Sequence, residues 1–475
     1  MRKKKNLLYI FADQWRYHAI GHVGEDTVLT PNMDRFAKES VSCENAISTY
    51  PLCSPHRAAL LTGKYPLSCG LWTNCKKGLA VSPSLATQEI TFGDVLKKEG
   101  YDTAYIGKWH LDSSDMNYYD RPESGSVYWD AYTPPGPRRH GFDFWHSYGA
   151  MDKHLAPHYW EDTPEKIEVG KWSPLHEREV LLDYLENRRD KEKPFCAVLS
   201  WNPPHPPYDE VPQGLKAMYE GPLKFRDNVP QSMRDDPAFV EHFKEYFGAI
   251  SGLDAQFGLI MDYLKENNLL DDTLVVLSAD HGDCMGSHGL YGKNVWFEES
   301  IRIPLYIRDG SRKATSLDCL IESCDQMPTL LDLLDIGIPS TVQGQSFKPL
   351  MDGKSETREK DGNTENKQGQ QDTPTEKEYA FLCMLPGMPE LIEPYKKLGL
   401  DSMCFGWRGL RTKDFTYVID NGTEPGVEQV RYLYDNKGDP FQLNPEVLKK
   451  DSPECRKLDP ILKGFCLGQK DFFLF

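Results

Sequence analysis

Long apolar runs are missing: no stretch of the 475-residue chain approaches the ~20 residues that a membrane helix needs, so no membrane span is expected. Positive charge is also scarce. Lys and Arg number 55 against 72 Asp and Glu, a formal net charge of −17. That balance opposes the phosphate backbone, and nucleic acid is excluded as a partner. It repels long polyanions too, so attraction for an anionic substrate must come from a local basic pocket, which favours a small or terminal one. The twelve cysteines contain no C-x-x-C pair and no zinc-finger spacing. Cys319 and Cys324 are near neighbours and read as packing residues, and a reducing compartment is the better fit. No internal repeat is evident. The basic start Met1–Lys5 leads into an apolar run that stops at Asp13. That run is shorter than the ~7–15 residues of a secretory signal, and no small-residue cleavage site follows. It reads as a core strand of a cytoplasmic protein, or of a periplasmic or secreted one whose signal has been removed.

What is present is an ordinary globular composition, 39% hydrophobic and 12% aromatic, long enough for two domains. The chain is organised around Cys53-Ser54-Pro55-His56-Arg57, which continues to Thr62-Gly63. Ser54 reads as a helix cap, Pro55 as the first helical residue and Gly63 as a left-handed exit. Cys53 then stands at the positive end of a helix dipole, with Arg57 one turn in. A thiol, an anion pocket and an arginine are thus expected together.

Asn6–Ala12 reads as a strand covered on both faces and ends in Asp13-Gln14. In open α/β sheets ligands gather beyond the carboxyl ends of strands. Pro31–Val41 has helical spacing, and Thr91–Glu99 reads as a helix with a capping box of Thr91 and Asp94. A strand over Tyr101–Ile106 leads to Gly107-Lys108-Trp109-His110, where extended backbone would put Lys108 and His110 on one side. Residues 112–170 look like a long functional loop region, with Arg138-Arg139-His140 its one basic cluster. Pro174–Arg188 is expected helical, and the strand Phe195–Ser200 runs into Trp201-Asn202-Pro203-Pro204-His205-Pro206. Prolines there hold the backbone around His205. A long helix over Phe239–Asn267 precedes a strand, Thr273–Ser278, that ends in Asp280-His281-Gly282-Asp283, with Lys293 beyond. Asp325 reads as a helix cap. Residues 353–377 are too polar to order themselves and read as a flexible insertion, after which Trp407–Ile419 and Gln429–Tyr434 look like strands of a smaller sheet.

The string CSPHRAALLTG resembles the sulfatase signature, C-x-P-x-R closing on Leu-Thr-Gly. The strand-end Asp, G-K-x-H, P-H-x-P, D-H-G-D and the trailing Lys follow in the order of that family, a branch of the alkaline-phosphatase-like superfamily. The resemblance implies an α/β fold: a large, mostly parallel mixed sheet flanked by helices, with a smaller C-terminal antiparallel sheet. A catalytic domain over 1–352, an insertion over 353–378 and a C-terminal subdomain over 379–475 are expected.

By the same resemblance, Cys53 is oxidised by a maturing enzyme to formylglycine (3-oxoalanine). Asp13, Gln14, Asp280 and His281, with the modified Cys53, would hold Ca2+ or possibly Mg2+, since the ligands are mostly hard oxygens. Gln14 and His281 depart from the commoner Asp and Asn of the family. Arg57, Lys108 and Lys293 would neutralise sulfate oxygens. A hydrated aldehyde offers two hydroxyls on one carbon, one to attack sulfur and one whose deprotonation, suited to His110, expels sulfate. His205 would protonate the departing alcohol. Trp72, Asn74, His154, Trp201 and Arg411 are candidate substrate contacts. The aromatic loops point to a sulfated sugar, small or oligomeric. The rival readings are a phosphonate or phosphate ester hydrolase with the same nucleophile, a non-catalytic glycan-binding relative, and a zinc enzyme using His281 and His288.

Overall fold

The strand β1 (Asn6–Ala12) is buried at all seven positions because it lies in the middle of a sheet covered on both faces. The computed structural model describes residues 4–79, 83–353 and 376–475. After β1 come β2 (Val41–Ile47), β3 (Asp102–Lys108) and β4 (Phe144–Tyr148), then a small ribbon of β5 (His158–Tyr159) and β6 (Ile167–Glu168). β7 (Phe195–Trp201), β8 (Thr273–Ala279), β9 (Leu305–Arg308) and β10 (Thr315–Glu322) complete the main sheet. Its order is β10-β2-β9-β8-β1-β7-β3-β4. Seven strands run in parallel and β9 opposes both of its neighbours. The carboxyl ends of four adjacent strands, β8, β1, β7 and β3, therefore open at one edge, and the chemistry-bearing residues follow each of them.

A 30-residue helix, Pro237–Glu266, starts two residues before the expected Phe239 because Asp236 accepts a bond from the Ala238 N–H and Pro237 needs no partner. The capping box of Thr91 and Asp94 is likewise in place. Some local expectations give way. The first helix stops at Lys38, and Val41 opens β2 instead, pairing with Ile307 and Thr315. The region 112–170 is not only loop, since β4 adds a parallel strand beside β3. Asp325 does not cap the helix Gln326–Leu333 that follows it; its carboxylate completes a capping box on the short turn Ser323–Asp325 by accepting from Glu322 N, and also accepts from Gln345 N and Lys377 Nζ. All twelve cysteines are unpaired.

β11 (Ala380–Met384), β12 (Trp407–Arg411), β13 (Phe415–Asp420), β14 (Val430–Asp435) and β15 (Glu446–Val447) form a second, antiparallel sheet in that order. The polar stretch expected to be an insertion lies, from 354 to 375, outside the described residues. The core under the second sheet also takes in Ile47, Tyr50 and Leu52, the residues leading from β2 to Cys53. Tyr50 fastens the two parts: its hydroxyl donates to the Trp72 carbonyl at 2.7 Å and accepts from Leu385 N at 2.9 Å.

Beneath the ends of β3 and β4 lies Glu177, fully buried, its Oε1 accepting from Tyr159 at 3.0 Å and its Oε2 without a partner among the described residues. Burial holds this carboxyl well above its ordinary range, which favours its neutral form. A raised carboxyl pKa gives stability that is full below the unfolded value and lost as pH rises towards the folded one. Glu177→Gln therefore gains on the wild type by about 1.4 kcal/mol per pH unit above pH 5, for as long as Glu177 stays protonated. Denaturant melts of both proteins from pH 5 to pH 8 measure that gap; a gap that stays flat or narrows over the range would refute a neutral Glu177.

Candidate active site

Cys53 is the first residue of a ten-residue helix, Cys53–Thr62, buried along its whole length. The helix leaves through Gly63 at φ 64°, as its glycine requires. Its start differs from expectation. Ser54 does not cap it: the hydroxyl donates to the His110 carbonyl at 2.5 Å and accepts from Cys75 N at 3.1 Å. The exposed N–H of Ser54 is met by Asn74 Oδ1 at 2.9 Å, so a residue expected to touch substrate caps the helix from a neighbouring loop. Asn74 also lines the cavity above Cys53.

Around Cys53 Sγ lie His281 Nε2 at 3.3 Å, Asp13 Oδ1 at 3.6 Å, Lys293 Nζ at 3.2 Å and Lys108 Nζ at 4.0 Å. Burial and Asp13 push the thiol up, but Lys108, Lys293 and His281 outweigh them and hold it well below its ordinary value. Asp13 follows β1 and Asp280 follows β8, and the adjacent strands bring the two carboxylates together. Burial and the Asp13 charge push Asp280 up to about 7, whereas Asp13 itself is held well down by Lys108, Lys293, His205 and His281 against its burial. Asp280 Oδ1 accepts the Gln14 and His281 N–H groups, and His281 Nε2 lies 3.5 Å from it and 3.7 Å from Asp13 Oδ1. Asp13, Cys53, Asp280 and His281 each offer a buried ligand atom within 4.8 Å of the others. Two carboxylates flanked by a ring nitrogen fit a divalent cation. His288 takes no part: its ring stacks on Phe297 at 3.5 Å, which removes the second histidine from the zinc reading.

The Asp280–Asp283 turn needs its glycine for close approach, since a Cβ on Gly282 would stand 1.9 Å from the Glu299 carbonyl. Asp283, the last residue of D-H-G-D and given no role of its own there, ties three segments of the site. It accepts from Gln14 Nε2 and from the Tyr208 hydroxyl, each at 2.6 Å, and from Met285 N and Gly292 N at 2.7 and 2.9 Å. With its amide nitrogen so held, Gln14 turns Oε1 to Lys293 Nζ at 2.7 Å. Asp283→Ala strands four donors, those of Gln14 and Met285 buried, and is expected to lower stability by roughly 3 kcal/mol or more, against under about 1.5 for Asp283→Asn. Thermal melts of both variants check this; equal losses would show that the carboxylate oxygens do not organise the turn.

Arg57, expected to neutralise sulfate oxygens, has its guanidinium among the paired carboxylates. Four of the guanidinium's N–H bonds are spent on Asp13, Asp280, the Lys108 carbonyl and Ser200, at 2.8 to 3.1 Å. It is buried behind the carboxylates and does not line the cavity. Lys108 and Lys293 do line it, with His110 and His205. The backbone at His110 is left-handed (φ 51°) rather than extended, yet the ring still faces the cavity, both nitrogens without a partner among the described residues. Burial keeps His110 and His205 below the ordinary histidine value; for His205, Lys293 and Lys108 add to the effect. His205 Nδ1 donates to the Pro206 carbonyl at 2.7 Å, which leaves Nε2 to face Cys53.

The remaining expected contacts fall elsewhere. His154 is buried and donates to the His205 carbonyl at 2.9 Å, so it supports that residue rather than a ligand. Trp201 ends β7 with its ring wholly in the core, and the neighbour after it, Asn202, is the one that turns inward and accepts from Lys108 Nζ at 2.9 Å. Trp72 packs on the second core. Arg411 pairs with Glu298 at 3.0 and 3.1 Å and faces a separate cavity. Arg138 and Arg139 are engaged by Asp112 and Asp162. The cavity proper, about 350 Å³, takes Trp129, Ala150 and Asp152 from the region after β3, and Met384, Leu385, Met388 and Leu391 from the second sheet and the helix beyond it.

Residues 5–336 match the family described as Sulfatase. An endo-4-O-sulfatase of Bacteroides thetaiotaomicron is 36% identical over 470 residues, covering 92% of this chain and 87% of its own. An ulvan-active sulfatase of Formosa agariphila is 33% identical over 450 residues, covering 93% and 76%. A solved structure from work on glycosaminoglycan metabolism by Bacteroides thetaiotaomicron superposes with a TM-score of 0.82 at 34% identity, covering 98% of this chain and 96% of its own. The cysteine at the helix tip, the paired carboxylates and the two lysines thus sit in a frame shared along almost the whole length: the chain belongs to the sulfatase family.

Proposed function

We propose that the protein hydrolyses a sulfate monoester of a carbohydrate, with Cys53 matured to formylglycine and a hard divalent cation, calcium or magnesium, held by Asp13, Gln14, Asp280 and His281. One observation carries this reading: Cys53 Sγ, at a helix tip, touches a buried carboxylate and histidine on one side and two lysines lining a cavity on the other. The sugar-active relatives support the substrate class. Formylglycine would supply a hydroxyl nucleophile, and the cation would supply charge for it and for the sulfate oxygens.

The chain's own side chains do the rest. Lys108 and Lys293 face the cavity as fixed donors for an anion, preorganised by Asn202, Asp13 and Gln14. Arg57 holds the two carboxylates apart at a set spacing, a positioning task rather than contact with sulfate. His110, neutral and unpartnered, is suited to accept a proton beside residue 53. His205 presents Nε2 to the cavity, and a bound anion offsets the lysine charges that depress its basicity, so it can carry the proton needed by the departing alcohol. Intact mass and sulfate release test the proposal together. Conversion of Cys53 lowers the mass by about 18 Da, and the converted fraction should track sulfate released from a sugar or aryl sulfate. Protein with full conversion and bound calcium that releases phosphate or phosphonate faster than sulfate would overturn it.

A further inference from the structure

We propose that the sugar ring carrying the scissile sulfate is otherwise uncharged: the substrate brings one anionic group to the reacting end of the cavity and a neutral ring with an apolar face to the outer end. This rests on the reading above and goes one step beyond it, from sugar sulfates in general to those whose ring bears no carboxylate and no second sulfate.

The cavity is divided by charge. Among the described residues that line it, the lysines are Lys108 and Lys293, both within 4.0 Å of Cys53 Sγ and therefore committed to the reacting end. The lining also includes Trp129, Met384, Leu385, Met388 and Leu391, and its one carboxylate among the described residues is Asp152. Lys76 lies 5.4 Å over the Trp129 ring but is matched by Glu390 at 3.3 Å and does not line the cavity. With one face of the indole occupied by Lys76, an apolar ring face can stack on the rest.

Hydrogen-bond sense points the same way. Asn294 lines the cavity with a buried Oδ1 that has no partner among the described residues, and Asp152 adds two more acceptor oxygens. Hydroxyl and amide N–H groups of a neutral ring can satisfy them. A carboxylate or a second sulfate brings only acceptors, and would lie against methionine, leucine and an aspartate with no further cation among the described lining residues to meet it. The wall is not free to adjust. Met388 and its neighbours are anchored through Tyr50, whose hydroxyl bridges Trp72 and Leu385, and Trp72 packs beneath Gly387. At about 350 Å³ the cavity is at the small end for ligand pockets, with room for one ring and its sulfate.

The test uses the full chain with Cys53 converted, shown by mass, and compares kcat/KM on three groups of compounds. These are hexoses and N-acetylhexosamines sulfated singly at each ring hydroxyl, the corresponding rings with a second sulfate or a uronic carboxylate, and 4-nitrophenyl sulfate as a sugar-free control. The best neutral ring should exceed the best doubly charged ring at least tenfold. Asp152→Lys, and separately Met388→Lys, should shrink that ratio at least threefold, chiefly by lowering KM for the doubly charged ring. A doubly charged ring turned over as well as the neutral one overturns the inference, and so does a ratio unmoved in both folded variants. Activity on 4-nitrophenyl sulfate with none on any sugar also overturns it, while leaving sulfate hydrolysis standing. No sulfate released from any compound would bring down the sulfatase reading itself, and this inference with it.

Discussion

Cys53→Ala abolishes turnover, by about 10⁴-fold or more in kcat, while the protein keeps its fold. Alanine leaves no heteroatom at position 53 to mature or to attack, so what remains is the binding power of Lys108 and Lys293 alone. The fold survives because the helix does not depend on the side chain. The N–H of Ser54 in its first turn is met by Asn74, its exit is set by Gly63, and its ten positions stay packed. Loss of the sulfur removes one partner from Lys293, which still has Gln14 Oε1 at 2.7 Å, and one from His281, which still has Asp280 at 3.5 Å. A stability change within about 2 kcal/mol is expected. Sulfate released per enzyme, measured by ion chromatography beside a thermal melt, decides the matter. Turnover retained within tenfold in a folded variant would move the nucleophile away from this position.

How much of this site was legible before the structure depended on how local the cause was. Asp13 and Asp280 could be read because each follows an uninterrupted apolar strand, and the carboxyl ends of adjacent parallel strands must open together. The helix at Cys53 could be read for the same reason: proline near its start and glycine at its end act within a few residues. Its cap could not, because Asn74 comes from a loop twenty residues on, and Ser54 found better partners in His110 and Cys75. Trp201 and Asn202 show how narrow the margin is. The strand continues one residue past the expected Ser200, pairing Trp201 with Ala12, so the indole is consumed by the core and the next side chain meets Lys108. The outer wall was out of reach altogether. Trp129 and Asp152 sit in a stretch without periodicity, and Met388 arrives from the start of the helix that follows β11, more than three hundred residues beyond Cys53. Gln14 looked like a weakened ligand; its partner Asp283 gives the amide a fixed direction that no local pattern contains.

Arg57 separates two explanations of the same motif, and replacing it is expected to have the second large effect. If its guanidinium served the sulfate, Arg57→Ala would raise KM and leave the carboxylate pair as it was. The geometry gives another result. The fork joins Asp13 Oδ2 at 3.0 Å to Asp280 Oδ2 at 3.1 Å, with both carboxylates and the arginine buried to within 1%. Removing one partner of such a network leaves two like charges facing each other in low dielectric, at a cost of roughly 3–5 kcal/mol. The nearest relief is protonation of Asp280, already pushed up to about 7 by burial and by Asp13. Protonated, it is a poorer ligand for any cation. Arg57→Ala is therefore expected to melt well below the wild type, to lose most of the thermal shift produced by calcium over EDTA, and to lose at least about 10³-fold in kcat. Arg57→Lys should recover part of the stability but little of the calcium response, since one ammonium cannot bridge both carboxylates as the fork does. Melts with and without calcium read the positioning role without reference to turnover. A full calcium shift in Arg57→Ala, with the loss confined to KM, would return the arginine to the sulfate.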